Sequence, residues 1–296
     1  MPAANDPPAS APAPPGSVAA EAHRSGASPE RPGPRHMVMV SRQFDYWLTV
    51  YQRTWRGSVF NSFVTPVLYL VAMGMLLGRF VDDSGARLPG ATTYLHFVAP
   101  GLLAAHAMQI AMGEVLWPVM GMVKWNKTYF SMIATPLRVV DVFGAHMAFV
   151  AFRIATTCAV FMLALVPFGL YASWPGVVLA FAVQLLIGLA FATPFFGVAA
   201  WAKSDSVFSV IMRIVVTPLF LFSGAFFPVS NLAAPLQVAA QLTPLYHGVE
   251  LTRAFMLAPW GAIDWPMMAG HAAYLLAIVV VGAAWATRRL ERRLIS

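Results

Sequence analysis

KWNKTYFSMIATPLR, residues 124–138, stands between two of the most apolar regions of a 296-residue chain. It carries Lys124, Lys127 and Arg138, an interior asparagine, and the aromatics Trp125, Tyr129 and Phe130. Upstream, residues 94–117 contain one charged side chain, Glu114; downstream, residues 142–166 contain one, Arg153. Each run is near the roughly 20 residues that an α-helix needs to cross a bilayer. A basic, aromatic loop between two such runs decides the class: an all-α, polytopic integral membrane protein.

Composition agrees. Hydrophobic residues make up 59% of the chain and charged residues 10%, whereas a soluble domain is about half apolar and about a quarter charged. The net charge of +7 raises the question of nucleic acid. Its basic residues, however, are dispersed at the ends of apolar runs rather than gathered in one patch, which points to membrane topology and away from a nucleic-acid partner. Cys158 is the single cysteine and lies inside an apolar run, so there is no disulfide framework and no cysteine metal site.

Six runs nearly free of charge predict six transmembrane helices, at about 58–78, 94–117, 142–166, 176–200, 207–227 and 267–287. Pro66, Pro194 and Pro218 fall inside them, where neighbouring helices can satisfy the backbone group that a proline leaves unpaired. Before the first span, residues 37–57 place Phe44, Trp47, Leu48, Tyr51 and Trp55 on one helical face and Arg42, Arg53 and Arg56 on the other. That pattern predicts a helix lying in the membrane interface, in contact with lipid. Residues 1–36 are rich in Pro, Ala, Ser and Gly and are read as a disordered tail.

Loop lysines and arginines set the orientation. One set of flanks holds Arg42, Arg53, Arg56, Lys124, Lys127, Arg138, Lys203, Arg288, Arg289, Arg292 and Arg293; the other holds Arg79, Arg87 and Arg253. The basic side is cytoplasmic, so both termini and the 124–138 loop are cytoplasmic in a multi-pass protein of the cell (inner or plasma) membrane. The uncharged stretch from Ile214 to Val249 is too long for one crossing and is punctuated by Pro228, Pro235 and Pro244. It predicts a re-entrant or interfacial hairpin between spans five and six on the external side, involving Phe227, Pro228, Pro244 and His247.

No G-x-x-x-x-G-K-[ST] phosphate loop occurs, nor an H-E-x-x-H or G-x-S-x-G motif. Seven scattered histidines form no ligand set, so no metal site and no catalytic residues are assigned. His96, His106 and His146 read as interhelical histidines. Glu114 and Arg153 sit at similar depths in adjacent spans, where ionisable groups are costly and face a bundle interior or a cavity. They are candidates for a transport path or gate, or for a structural ion pair. Gln109 and Gln184 are weaker candidates of the same type, and Arg213 can snorkel to the headgroups.

Taken together, YLHFVAPGLLAAHAM (Tyr94–Met108), Lys124–His146, FSGAFFPVSNL (Phe222–Leu232) and LTPLYHGVEL (Leu242–Leu251) resemble the permease subunits of ABC-2-type exporters. The branch is that of nodulation-factor and antibiotic-resistance exporters, and the resemblance covers about residues 37–290. It implies a six-helix domain that works as a dimer of permease copies with separate ABC ATPase subunits. It also implies that this chain is not itself an enzyme and binds no cofactor, ATP and Mg²⁺ being held by the partner. On that basis residues 124–138 dock into the ATPase, with Trp125, Tyr129 and Phe130 as anchors and Lys124, Lys127 and Arg138 setting register. The cargo would be amphipathic, a drug, lipid or lipo-oligosaccharide. The alternatives are an ion-coupled secondary transporter through Glu114 or an intramembrane enzyme using Glu114, His106 and Arg153; neither inverted repeats nor a convergent acid–base set is visible.

Overall fold

The computed structural model describes residues 70–83 and 91–295, with Thr49, Val64, Leu68 and Leu88 as isolated positions. The tail at 1–36, the interfacial helix at 37–57 and the first part of the span at 58–78 therefore lie outside the described residues.

Every regular element among the described residues is helical. After a wide helical turn at Leu70–Leu77 come α1 (Gly78–Asp83) and α2 (Tyr94–Met120), the latter ending in a second wide turn, Gly121–Trp125. Then follow α3 (Thr128–Ile133), α4 (Val139–Leu165) and α5 (Trp174–Trp201). Next are α6 (Ser206–Ile211) and α7 (Thr217–Phe222), joined by a wide turn at Met212–Val216. The last three are α8 (Ala234–Gln241), α9 (Pro244–Leu257) and α10 (Trp265–Ile295).

Among the described residues, four helical segments are long and apolar enough to cross a membrane: Tyr94–Trp125, Val139–Phe168, Trp174–Trp201 and Trp265–Ile295. A fifth, Ser206–Phe222, is shorter. At 1.5 Å per residue it is about 25 Å long, and it lies along much of α2. Phe208 packs edge-on against Trp117 near the end of α2, and Ala225, just past the other terminus, lies against Gly101 near the start of α2. A Cβ on Gly101 would come within 2.6 Å of the Ala225 Cα, so this close approach requires the glycine.

Prolines set the local irregularities. Pro218 offers no N–H to the turn before it, and that turn widens while Thr217 Oγ1 donates to the Met212 carbonyl at 2.8 Å. Pro194 likewise interrupts α5, where Thr193 Oγ1 donates to the Leu189 carbonyl at 3.0 Å. Helix α5 is the hub, packing on α2, α4, α9 and α10. Gly282 of α10 lets that helix sit directly on Thr193 and Pro194, the small-residue contact by which apolar helices approach in lipid.

The helices alternate between two ends. The loop end holds the segment 121–138, residues 202–205 and the last turns of α10; the far end holds residues 91–97, 166–173 and 223–264. Lys124 Nζ donates to the Lys203 carbonyl at 2.9 Å, and Arg293 Nη1 donates to the carbonyls of Ala200, Trp201 and Ala202 at 3.2–3.3 Å, closing the end of α5. Between residues 91 and 295, basic side chains crowd the loop end, and the far end has Arg253.

Candidate functional site

The segment 124–138 is not one helix. Its helical part is α3, six residues long, entered through Lys127 at a φ of 51°, a left-handed conformation that ordinary side chains adopt rarely. Thr135 Oγ1 donates to the Met132 carbonyl at 2.5 Å as the chain turns out of α3. The Asp141 carboxylate then accepts from the Arg138 N–H at 3.0 Å, capping α4.

Two of the three aromatics face outward, Trp125 at 56% exposure and Phe130 at 37%, as do Lys124, Lys127 and Arg138. Tyr129 does not. It is fully buried, its ring stacked 6.4 Å from Phe196 of α5, so as an anchoring surface for a partner it is corrected to an internal tether. Burial raises its phenol above the ordinary tyrosine range.

That tether continues inward. The Tyr129 hydroxyl lies 2.8 Å from His146 Nδ1, and His146 Nε2 lies 3.0 Å from the Glu114 backbone carbonyl. A carbonyl only accepts, so Nε2 carries the proton, Nδ1 accepts, and the tyrosine hydroxyl donates. Pro118 explains why the Glu114 carbonyl is open to His146: four residues on, where a helical N–H would bond it, the proline has none. The Glu114 side chain then meets Arg153, Nε to Oε1 at 2.7 Å, with side-chain exposures of 23% and 8% for Glu114 and Arg153. Depth along the two spans suggests this pair, and the structure makes it.

On α2 the more exposed positions are Gln109, Gly113 and Trp117, with Glu114 half-buried beside them, a stripe at helical spacing. Gln184 is elsewhere: fully buried, it donates to Thr252 Oγ1 at 3.0 Å and so joins α5 to α9. His106 meets Phe161 edge-on at 5.5 Å. Among the described residues no group of three or more His, Cys, Asp or Glu could hold a metal.

The residues singled out at the far end gather there. Phe227 packs near Phe222, buried Pro228 leads a short turn at Val229–Asn231, and Pro244 starts α9 behind the Thr243 cap. His247 Nδ1 is 2.6 Å from His271 Nδ1 of α10. The distribution of charge along the sequence puts Arg253 among the flanking loop residues. It is instead buried in α9, bonded to Glu250 at 2.8 Å and to the Gly224 carbonyl at 2.9 Å, with its guanidinium 4.1 Å from the Phe97 ring centre. A Glu and an Arg three apart inside an apolar stretch were the available signal.

Residues 38–257 match the family model described as "ABC-2 type transporter". The chain is 31% identical over 256 residues to nodulation protein J of Rhizobium leguminosarum bv. trifolii, covering 84% of this chain and 94% of that one. It is also 31% identical to nodulation protein J of R. leguminosarum bv. viciae (84% of this chain, 95% of that one) and of Sinorhizobium fredii (84% and 94%). A helical bundle with several membrane-length apolar helices, matched over most of its length, belongs to the ABC-2 type transporter family of membrane permeases.

Proposed function

We propose that this chain is the permease half of an ATP-driven exporter in the cell membrane, working with a separate ABC ATPase that binds the ATP and Mg²⁺. The observation that carries the reading is the build of the loop end. The segment 124–138 presents Trp125, Phe130 and basic side chains outward, while the buried Tyr129 connects α3 through His146 to the α2 segment that bears Glu114. Such a loop can be pushed from outside and can pass the displacement to an ion pair inside the bundle.

The crowding of basic side chains supports a cytoplasmic loop end, with both termini on that side. Helices α6 and α7 with their joining turn form the fifth of six crossings, and α8 and α9 form an external re-entrant hairpin. The exposed Gln109 and the half-buried Glu114 on one face of α2 support a transport path between two permease copies, since polar side chains in a membrane face a partner or a cavity. The cargo is amphipathic.

The test is co-expression with the cognate ATPase. Phe130→Asp together with Trp125→Asp is expected to abolish co-purification of the ATPase while the permease remains folded. Tyr129→Phe is expected to keep co-purification and ATP hydrolysis but to lose transport. Full transport by the first variant, or transport driven by a pH gradient without ATP, overturns the reading.

A further inference from the structure

Of the four membrane-length helices, α10 is the least covered by the rest of the chain. Its outer surface meets α5 in a groove of about 340 Å³, lined by Pro194 of α5 and by Tyr274, Ile278, Val281, Gly282 and Trp285 of α10. From Tyr274 to Trp285 the groove runs about 16 Å at 1.5 Å per residue. That is the depth of one leaflet of a hydrocarbon core about 30 Å thick. We propose that this groove holds an acyl chain of an anionic phospholipid from the leaflet at the loop end, with the lipid phosphate bound by Arg288, Arg289 and Arg292. The site belongs to the membrane-embedded fold and does not rest on the export reading.

The groove is built for hydrocarbon. The Tyr274 hydroxyl donates to the Leu242 carbonyl at 2.5 Å, which leaves its ring and the aliphatic side chains as the walls. Gly282 sets the groove's floor by letting α10 rest on Pro194. At the loop end Trp285 packs on Gly197 of α5, where a Cβ would come within 2.3 Å of the indole. Tryptophan, with an apolar body and a polar edge, favours the membrane–water boundary. Trp285 therefore marks the level at which an acyl chain gives way to its headgroup.

Past Trp285 the same face of α10 turns basic. Tyr274, Ile278, Val281, Trp285, Arg288 and Arg292 follow at alternating intervals of four and three residues, which is one stripe of a helix. Arg288 and Arg292 are exposed and stand about 5 and 10 Å beyond Trp285, at headgroup depth. The Arg289 guanidinium lies 5.8 Å from the Trp285 ring centre, a cation–π contact that holds it at the mouth of the groove. Arg293 is engaged with the α5 carbonyls and stands apart from the site. Residues 288–293 set four arginines against Glu291, so the complementary ligand is an anion. Guanidinium forks match the paired oxygens of a phosphodiester. A zwitterionic lipid offers the same phosphate but adds an ammonium that the arginines repel. The charges also disfavour a second copy on this face, because a two-fold contact through α10 would set Arg288 and Arg292 against themselves.

The test uses the full chain in phosphatidylcholine nanodiscs without ATP or ATPase, so its outcome is independent of transport. A trace of phosphatidylglycerol with a diazirine on one acyl chain is photolysed, and the attachment site is read by peptide mass spectrometry. Attachment is expected at Pro194 and within residues 274–285 of α10. Unlabelled phosphatidylglycerol is expected to displace the probe, whereas phosphatidylethanolamine at the same mole fraction is not. An arginine near an anionic headgroup contributes about fivefold, so Arg288→Gln with Arg292→Gln is expected to cut attachment about 25-fold. Arg288→Lys with Arg292→Lys keeps the charge and is expected to restore most of it. Ala277→Trp, at an exposed position on the groove lining, is expected to block attachment by filling the space. Attachment without preference for phosphatidylglycerol overturns the proposal, as does a preference that survives both glutamines. A groove closed to the probe by other protein overturns it too.

Discussion

The two ends of the bundle solve opposite problems. At the loop end, α3 is held to the core by Tyr129, while Trp125, Phe130 and the flanking basic side chains are left exposed. At the far end, the charged side chain Arg253 is drawn inward and held by Glu250, by the Gly224 carbonyl and by the Phe97 ring. One end keeps its chemistry outside and reaches the interior through Tyr129, with Met132 and Ile133 packed beside it. The other buries its chemistry and shapes a cavity around it. The contrast teaches that a loop built to be moved and a cap built to hold a shape distribute polar groups in opposite ways.

The largest effect that would sharpen this contrast is at Arg153. Removing one member of a buried ion pair costs about 3–5 kcal/mol, so Arg153→Met should reduce both folded yield and ATP-dependent export. Pairing it with Glu114→Gln should restore folding in detergent melting curves. If export also returns in full, the pair is structural and has no part in gating.

Next comes Pro118→Ala. Proline is about 3 kcal/mol worse than alanine in a helix interior, so α2 itself should gain helical stability. The restored N–H would, however, compete with His146 for the Glu114 carbonyl. Export per ATP hydrolysed is expected to fall while the melting temperature holds or rises, measured in proteoliposomes and by scanning fluorimetry. Unchanged coupling would break the thread from the loop end to the ion pair.

Tyr129→Phe is a smaller change. It leaves His146 Nδ1 without the hydroxyl that faces it, a cost of about 1–3 kcal/mol for an unsatisfied buried group. A drop in melting temperature with wild-type recovery of the ATPase is the expected result. Lys127→Gly should have the smallest effect, stabilising by at most about 1 kcal/mol, because glycine accepts the left-handed backbone there. Thermal unfolding of the purified chain measures it. If that relief lowers export, the strained entry to α3 is part of the moving device.

Much of this was legible beforehand. The apolar runs at 94–117, 142–166, 176–200 and 267–287 anticipate four long helices, which extend beyond them because helical geometry continues past the apolar stretch into polar residues such as Arg288–Arg293. The proline punctuation after residue 227 anticipates a broken segment, and α8 and α9 with their short connecting turn are what it produces. The inward turn of Tyr129 was hidden, since six helical residues are too few for periodicity to reveal a face. The Glu114–His146 contact was readable in principle from Pro118, by asking which carbonyl the proline leaves open. The His247–His271 contact was not, because it depends on how α9 lies against α10.

Gly282 has one more consequence, which concerns the order of synthesis. The surface of α5 around Thr193 and Pro194 is covered by α10, a helix that leaves the ribosome only after α6–α9 have been made. Until then the irregular turn of α5 faces whatever is nearby in the membrane, and the carbonyls that Arg293 will close remain open. Chains halted before residue 265 should therefore be recognised and degraded as unfinished, even with the helices that precede α10 already inserted.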